Sequence, residues 1–284
     1  MTPFLDDAIE VVPLAGGTHH TAWIATQADG ARYVVKATPG VPPDMFDAEA
    51  EGLIALRRSG VIGAPRVVAV GPGHLVMEAL NPVPGFADTV FWERTGRALA
   101  RLHLIRGSRF GWSRDNWLGP TRQVNTWTLD CYEFYARYRI LRYLREPRME
   151  AMLDASQRAA IERICARLPD LVPPSYPALT HGDLWHGNVV SMADGSPALI
   201  DPAISWNWPE ADLSMMYGIA GMVPGGASPG LDRFFAAYQE IRPLHPGWRE
   251  HLELLHLREL LCVLFQTGRG WARPRVLTLI QRYG

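Results

Sequence analysis

The chain has 284 residues, 48% of them apolar and 20% charged, so it can bury a substantial core in one large or two moderate domains. Its 28 basic and 29 acidic residues nearly cancel, which argues against nucleic acid or an anionic membrane as a partner. The three cysteines are widely spaced, the N-terminus lacks the pattern of a secretory signal, and no apolar run approaches the about 20 residues of a membrane span. We therefore expect a cytoplasmic protein.

The first eighty residues read as strands around a single helix. Two strand-like runs, 21–26 and 32–38, flank the turn signal Asp29-Gly30 and predict a hairpin. Residues 45–60 have apolar side chains at helical spacing and end in glycine, which predicts an amphipathic helix with a glycine C-cap. Two more short apolar runs follow, and then Asn-Pro-Val-Pro-Gly at 81–85 breaks any regular pattern. We place the end of a β-rich lobe there.

Beyond residue 81, apolar residues recur three and four apart, which predicts helices, including a long one from about Trp248 to Thr267. One hairpin interrupts them, where two apolar runs flank the turn signal Asp194-Gly195. A small β-rich lobe joined to a larger helical lobe that contains one hairpin is typical of protein kinases. The prediction is an α+β, bilobal protein-kinase-like fold, with a nucleotide-binding lobe over residues 1–81 and a helical catalytic and substrate-binding lobe over residues 82–284.

The strongest chemical signal is the segment His181 to Asn188, HGDLWHGN, together with the Asp201 that ends the next apolar run. Phosphoryl transfer to an alcohol needs a carboxylate that orients the hydroxyl and accepts its proton, and oxygen ligands that hold Mg²⁺ against the phosphates of ATP. Asp183 suits the first role. Asn188 lies five residues later, as the catalytic-loop asparagine of protein kinases does, and Asp201 matches their metal-binding aspartate. Both are predicted Mg²⁺ ligands.

Residues around this segment are predicted to support it. Gly182 and Gly187 suit a tight loop, since glycine adopts backbone conformations closed to other residues. His181 is predicted to organise the loop by hydrogen bonds, because a zinc site with His186 would lack a third ligand at a recognisable spacing. Asp212 begins an apolar helical run and is predicted to support the catalytic loop from that helix.

The N-terminal lobe supplies the predicted nucleotide contacts. Lys36 lies in a strand, as the phosphate-contacting lysine of protein kinases does. Glu49, thirteen residues later on the predicted helix, could pair with its ammonium group, and Glu51 is the competing choice; the family resemblance described below favours Glu49. Gly16 and Gly17 lie between two strands, where a loop would cover the phosphates. The segment Glu78, Ala79 and Leu80 ends the last strand of the lobe, where backbone groups would meet adenine.

Further motifs accompany these residues along nearly the whole chain: DNWLG at 115–119, QVN at 123–125, DPA at 201–203, EADL at 210–213 and PGW at 246–248. In this combination the sequence resembles the fructosamine kinase (ketosamine 3-kinase) family, a branch of the aminoglycoside-phosphotransferase-like kinases. The resemblance implies an ATP- and Mg²⁺-dependent kinase that phosphorylates the 3-hydroxyl of ketoamines, the adducts of sugars with amines. We expect a monomer whose partner is this small-molecule substrate.

The resemblance also implies an acceptor site. In that family the motifs at 115–119 and 123–125 precede the helix that walls the sugar site. Hydrogen bonds to a polyol are therefore predicted from the polar residues of these motifs, with turn formation as the alternative; they are Asp115, Asn116, Gln123 and Asn125. Trp185 and Trp208 are predicted to offer ring faces to the sugar or its amine substituent, with core burial as the alternative. His186 stands where the family usually has serine, and residues 206–209 also depart from the family pattern.

Two other functions stay open. The HGDLxxGN pattern also fits aminoglycoside, macrolide, choline and homoserine kinases, although a neutral charge balance argues mildly against polycationic acceptors. A pseudokinase that binds nucleotide without transferring phosphate is the second alternative. The joint presence of the five residues that transfer requires argues against it; they are Lys36, Glu49, Asp183, Asn188 and Asp201.

Overall fold

The computed structural model describes residues 3–14, 21–220, 229–268 and 270–284. Its N-terminal part contains α1 Pro3–Asp6, β1 Glu10–Pro13, β2 Ala22–Thr26, β3 Arg32–Ala37, α2 Met45–Ser59, β4 Val67–Gly71 and β5 His74–Glu78. The strands form one sheet in the order β1-β2-β3-β5-β4, and every pair of neighbours is antiparallel. The predicted β-rich beginning of the chain is therefore one continuous sheet with a helix packed on it.

The predicted hairpin is the β2–β3 pair. The amide of Gln27 donates to the carbonyl of Ala31 over 2.8 Å, and Gly30 has φ of +83°, a left-handed conformation that favours glycine. On the next pair, Val35 of β3 lies opposite Val76 of β5, and both side chains are fully buried. The β-branched pair fills the centre of the sheet.

Helix α2 begins and ends as its sequence predicts. Phe46, Ala50 and Leu53 recur on its buried face, as the helical spacing requires. Gly60 closes the helix with φ of 70° and donates its amide to the carbonyl of Arg57. The local sequence thus determines both the length of α2 and the face that it turns to the core.

The C-terminal part is mainly helical and contains three small two-stranded sheets. Its elements are α3 Thr89–His103, β6 Asn116–Leu118, β7 Thr121–Gln123, α4 Cys131–Tyr135, α5 Leu141–Leu144, α6 Pro147–Met152, α7 Ala155–Ala166, α8 Leu168–Leu171, β8 Ala178–Thr180, β9 Val189–Ser191, β10 Pro197–Leu199, β11 Ser205–Asn207, α9 Pro209–Ala220, α10 Pro229–Ile241, α11 Trp248–Leu255, α12 Leu257–Thr267 and α13 Ala272–Tyr283. The antiparallel pairs are β6–β7, β8–β11 and β9–β10. A π-helical turn at 136–140 joins α4 to α5. Among the described residues, no helix has the length and apolar character needed to cross a membrane.

The single helix predicted from about Trp248 to Thr267 is wrong in one respect, because it is two helices that meet at His256. The backbone of His256 has ψ of −12°, which departs from the α-helical value. Its ring packs on Gly218 of α9 so closely that a Cβ at that glycine would lie 2.5 Å from the imidazole. The helix break is accompanied by this contact between distant segments, and the apolar periodicity of one segment does not predict such a contact.

The β9–β10 hairpin joins the two parts of the molecule. Asn81 and Ser191 exchange backbone hydrogen bonds of 2.9 and 3.0 Å, and Gly63 forms two more with Pro197 and Leu199. One hydrophobic cluster contains Leu53 and other side chains of the sheet lobe together with Leu199 and side chains of the helical part. The hairpin thus holds the sheet against the helices. The predicted boundary at residue 81 between a nucleotide-binding lobe and a catalytic lobe stays a prediction.

Candidate active site

The HGDLWHGN segment forms the loop between β8 and β9, and a side chain within it closes the loop. The amide nitrogen Nδ2 of Asn188 donates to the backbone carbonyl of Asp183 over 2.8 Å and to its carboxylate Oδ2 over 3.1 Å. Residues 186–188 form a single 3₁₀ turn that brings Asn188 back to Asp183. The five-residue spacing seen in the sequence is therefore the span of this closed loop.

Gly182 allows the loop to lie against the segment that follows Asp201. Its φ is +83°, and a Cβ there would lie 2.1 Å from the carbonyl oxygen of Ala203. Asp201 itself has φ of 59°, the only positive value at a non-glycine residue in the described part of the chain. Left-handed backbone at such a residue is strained and concentrates at functional sites. The two segments thus place Asp201 beside the loop that carries Asp183.

Lys36 joins the sheet to this centre. Its ammonium Nζ lies 2.7 Å from Oε1 of Glu49 and 2.5 Å from Oδ1 of Asp201, and the residue is only 7% exposed. Burial alone would lower the pKa of Lys36, but the negative charges of Asp201 and Glu49 raise it above its ordinary value. The side chain therefore stays a cation.

The environment of Asp183 tunes its carboxyl group. Burial raises the pKa of Asp183 to about 7; the positive charge of Arg258 acts against the rise, and the negative charge of Asp201 adds to it. A carboxylate with a pKa near neutrality is suited to take a proton from a hydroxyl at physiological pH. The Asp183 carboxylate can therefore act as a general base. It lies in the same site as the Lys36 cation and the two predicted metal ligands.

His181 and Asp212 lie where a supporting role requires. The Asp212 carboxylate accepts the backbone amides of His181 and Gly182 over 2.6 and 2.7 Å. The His181 ring accepts the amide of Asp183 at Nδ1 and donates from Nε2 to the carbonyl of Ile200, so its neutral tautomer is determined by its partners. Burial lowers the pKa of His181, in agreement with a neutral ring.

Two buried side chains that sequence reasoning missed complete this support. Arg258 donates to the carbonyl of Gly182 and to Glu259, each over 2.9 Å. His103 lies 3.2 Å from the Asp212 carboxylate through Nε2 and 2.8 Å from the hydroxyl of Tyr238 through Nδ1. The available signal was periodicity, since both residues occupy buried positions on the mainly apolar faces of α12 and α3.

The residues predicted to bind nucleotide are only partly tested by geometry. Gly16 and Gly17 lie outside the described residues. Glu78 and Ala79 donate their backbone amides to Arg66 and Arg32 within the sheet. Leu80, two residues after the end of β5, is half-buried. The contact with adenine at 78–80 stays a prediction.

The structure corrects the predicted acceptor contacts of three polar side chains. Asn116 donates to the carbonyl of Ile204 over 2.7 Å and accepts from Gln123, whose own oxygen accepts from Arg258. Asn125 donates to the carbonyl of Arg114 and accepts from Arg139. Each of the three is 2% exposed, so their hydrogen bonds hold the β6–β7 region together instead of facing a ligand; they are Asn116, Gln123 and Asn125.

The three remaining acceptor predictions have different outcomes. Trp208 is wrong as a substrate contact, since it is 1% exposed and its ring packs between Tyr132 and Tyr135 at centroid distances of 5.4 and 5.3 Å. Asp115 is half-buried and accepts the amide of Asn125 over 3.0 Å. Trp185 is half-buried in the catalytic loop, with its ring over Gly187. The contact of Trp185 with an acceptor stays a prediction.

Asn188 and Asp201 stay the predicted magnesium ligands. Because Nδ2 of Asn188 donates to Asp183, its Oδ1 is the atom left to bind a cation. Among the described residues, no group of three or more His, Cys, Asp and Glu side chains is arranged to hold a metal ion. Mg²⁺ in phosphoryl-transfer enzymes is usually bound by one or two protein groups together with phosphate oxygens, and these two oxygen ligands suit that pattern.

Sequence comparison with known proteins relates the chain to ketoamine kinases. A family model described as fructosamine kinase matches residues 6–280. The chain is 34% identical over 245 residues to a probable ketoamine kinase of Synechocystis sp., covering 84% of this chain and 79% of that protein. It is 30% identical over 286 residues to a chloroplastic protein-ribulosamine 3-kinase of Oryza sativa subsp. indica, covering 96% and 78%.

Solved structures agree with these relatives. A candidate fructosamine-3-kinase from Thermobifida fusca YX-ER1 superimposes with a TM-score of 0.84 at 33% identity, covering 96% of this chain and 93% of that one. An aminoglycoside phosphotransferase of 14% identity superimposes with a TM-score of 0.69 and shares the fold. The predicted α+β, bilobal protein-kinase-like fold is thereby confirmed.

Proposed function

We infer the activity of this chain from one premise: it belongs to the fructosamine kinase family. We propose that it is an ATP-dependent kinase that phosphorylates the 3-hydroxyl of a ketoamine. The proposal depends on one observation: a cation and four acidic or amide side chains lie together where the sheet packs on the helices. They are Lys36, Glu49, Asp183, Asn188 and Asp201. The name of the rice relative supports the 3-hydroxyl of a sugar-derived acceptor.

The proposed roles follow from these positions. The acceptor oxygen forms a bond to the γ-phosphorus, the bond from that phosphorus to the bridging oxygen of ADP breaks, and the hydroxyl proton passes to Asp183. Lys36 contacts the phosphates, and Glu49 holds its ammonium in place. Trp185 presents a ring face to the acceptor. The short range of these contacts supports a preorganised site, in which little rearrangement accompanies transfer.

The finer assignments are part of the same proposal. Bound Mg²⁺, held by Asn188 and Asp201, would neutralise the charge that develops on the transferred group. Gly16 and Gly17 cover the phosphates, and the backbone at 78–80 meets adenine. We further propose that residues 1–81 form the nucleotide-binding lobe and 82–284 the catalytic lobe of a cytoplasmic monomer.

The proposal is tested with purified protein, Mg²⁺-ATP and a panel of acceptors that includes a ribulosamine, a fructosamine, an aminoglycoside and choline. We expect turnover of a ketoamine, and we expect Asp183→Asn to lower it at least about a thousandfold, because the general base is lost. ATP affinity, measured by calorimetry, should change less than about twofold, since Asp183 acts on the acceptor.

Asp232→Asn is the matched control, because Asp232 is exposed in the first turn of α10 and the same charge is removed. It should leave turnover unchanged. Turnover of an aminoglycoside with none of any ketoamine would overturn the acceptor assignment. Binding of Mg²⁺-ATP without turnover of any acceptor would overturn the kinase assignment in favour of a pseudokinase.

A further inference from the structure

Glu51 makes a set of contacts that its neighbour Glu49 does not. Its carboxylate Oε1 accepts from the indole nitrogen of Trp112 over 2.8 Å and from the hydroxyl of Ser113 over 3.0 Å. Its other oxygen lies 4.0 Å from the guanidinium of Arg114. All three partners, two hydrogen-bond donors and one more distant cation, belong to one segment of the C-terminal part, the loop 112–114, so a single carboxylate of α2 contacts three successive residues.

Helix geometry places this attachment on the side of α2 opposite the catalytic lysine. Residues two apart in an α-helix point about 200° apart. Glu49 reaches Lys36 of β3, while Glu51 reaches the loop 112–114. The two acidic side chains therefore hold α2 from opposite sides.

Further contacts bind the same helix to the C-terminal part. Asp44, just before α2, lies 3.5 Å from Arg114 of the loop 112–114. At Gly52 the helix touches Pro202, where a Cβ would lie 2.7 Å from the proline Cγ. Pro202 directly follows Asp201, so α2 packs against the side chain of the residue next to the predicted metal ligand.

The loop 112–114 is itself anchored. The amide of Trp112 donates to the carbonyl of Asn125 over 3.0 Å, and the preceding Gly111 exchanges backbone hydrogen bonds with Trp206 of β11. Its far end continues into Asp115 and β6. Glu51 thus ties α2 to a fixed part of the molecule and not to a free loop.

We propose that Glu51 is a positioning residue for phosphoryl transfer: by fastening α2 to the loop 112–114, it holds Glu49 against Lys36. The proposal rests on the proposed kinase function, in which Lys36 must be held on the phosphates. Loss of the attachment lets α2 shift away from the sheet, which separates Glu49 from the ammonium group. The carboxylate is about one-third exposed, so the effect is on position more than on stability.

The kinetic test compares three variants of α2. Glu51→Ala should lower kcat on a ketoamine about tenfold, because the Lys36–Glu49 pair is no longer held in register. Glu51→Gln should lower it less than about twofold, since an amide oxygen still accepts from Trp112 and Ser113. Asp47→Ala, which removes one exposed charge from the same helix, should leave kcat unchanged.

A double-mutant cycle decides whether Glu51 acts through Glu49. In the Glu49→Gln background, the further change Glu51→Ala should lower kcat less than about twofold, because the pair that it supports is already weakened. Equal tenfold losses in both backgrounds would overturn the proposal. Such losses would mean that Glu51 affects the site independently of the ion pair.

Hydrogen exchange gives a readout that needs no turnover. The backbone amides of α2 should exchange about tenfold faster in Glu51→Ala than in the wild type or Asp47→Ala. Unchanged protection of α2 would overturn the positioning role. If the wild type phosphorylates no ketoamine, the proposed function fails, and the exchange rates still decide whether Glu51 holds the helix.

Discussion

Arg258 combines deep burial with a direct contact to the catalytic loop. It is 5% exposed, and its guanidinium donates to Gly182, Gln123 and Glu259. A buried charge is tolerated when it is paired and its hydrogen bonds are satisfied, and removing one partner of such a pair leaves the other uncompensated. Arg258 therefore supports the loop and also neutralises Glu259, which is 4% exposed.

Arg258→Met should destabilise the protein by about 3 kcal/mol, because Glu259 is left buried without its guanidinium. Urea unfolding followed by circular dichroism measures the change. The double variant Arg258→Met, Glu259→Gln should recover part of the loss, since the unpaired charge is removed. Arg97→Met, which breaks an ion pair with Glu240 on the surface, is the control and should shift the unfolding midpoint little. A similar shift for both arginines would contradict this account.

At the level of elements, the loop between β8 and β9 depends on close backbone contact with the segment after β10. Glycine is needed at position 182 for two reasons: its φ is positive, and a Cβ there would overlap with Ala203. Gly195, in the β9–β10 turn, has a similar φ of +77° but no atom within 4 Å of its would-be Cβ. The two glycines therefore separate the cost of backbone conformation from the cost of steric overlap.

Gly195→Ala should destabilise the protein by about 1 kcal/mol, the cost of a left-handed conformation for alanine. Gly182→Ala should destabilise it by about 3 to 4 kcal/mol, because overpacking against a backbone carbonyl adds to the same cost. Turnover should be lost in Gly182→Ala alone, since Ala203 and Asp201 must move. Equal unfolding free energies for the two variants would show that the Ala203 contact is not restrictive.

Elements also show where sequence reasoning succeeds. Turn signals at Asp29-Gly30 and Asp194-Gly195 predict both hairpins, because a tight turn is determined by two adjacent residues. The helix at 45–59 is predicted because its apolar spacing and its glycine cap are local as well. The break at His256 is not predicted, since it is associated with a contact to α9 about forty residues earlier.

At the scale of the whole molecule, the buried histidines make folding sensitive to acid. His103 and His181 are 0% exposed, and burial lowers the pKa of each below 6.5, although nearby Asp212 acts against the shift. Below pH 6.5 the unfolded chain binds protons that the folded protein does not, so stability falls as the pH decreases. Asp183 opposes this trend below pH 7, because its raised pKa lets the folded protein bind a proton that the unfolded chain lacks.

Each histidine lowers the free energy of unfolding by at most about 1.4 kcal/mol for each pH unit of acidification. Proton binding by Asp183 in the folded protein offsets about one of these two histidine contributions. The free energy of unfolding should therefore fall by roughly 1 kcal/mol between about pH 6.5 and about pH 5.5. Urea unfolding at a series of pH values measures it. His103→Gln keeps a donor for Asp212 and an acceptor for Tyr238, so it should flatten the slope. A slope unchanged by His103→Gln would contradict a neutral buried ring.

The amino-acid sequence by itself determined the family and the bilobal fold, and it predicted the catalytic loop, because turn residues, helical periodicity and motif spacing are properties of neighbouring residues. Only the tertiary structure decided between Glu49 and Glu51, since both lie on α2 and the choice depends on which one faces Lys36. It also moved Trp208 and three amide side chains from a predicted acceptor site into the interior. Burial depends on what packs on a residue from distant parts of the chain, and a local pattern does not contain that information.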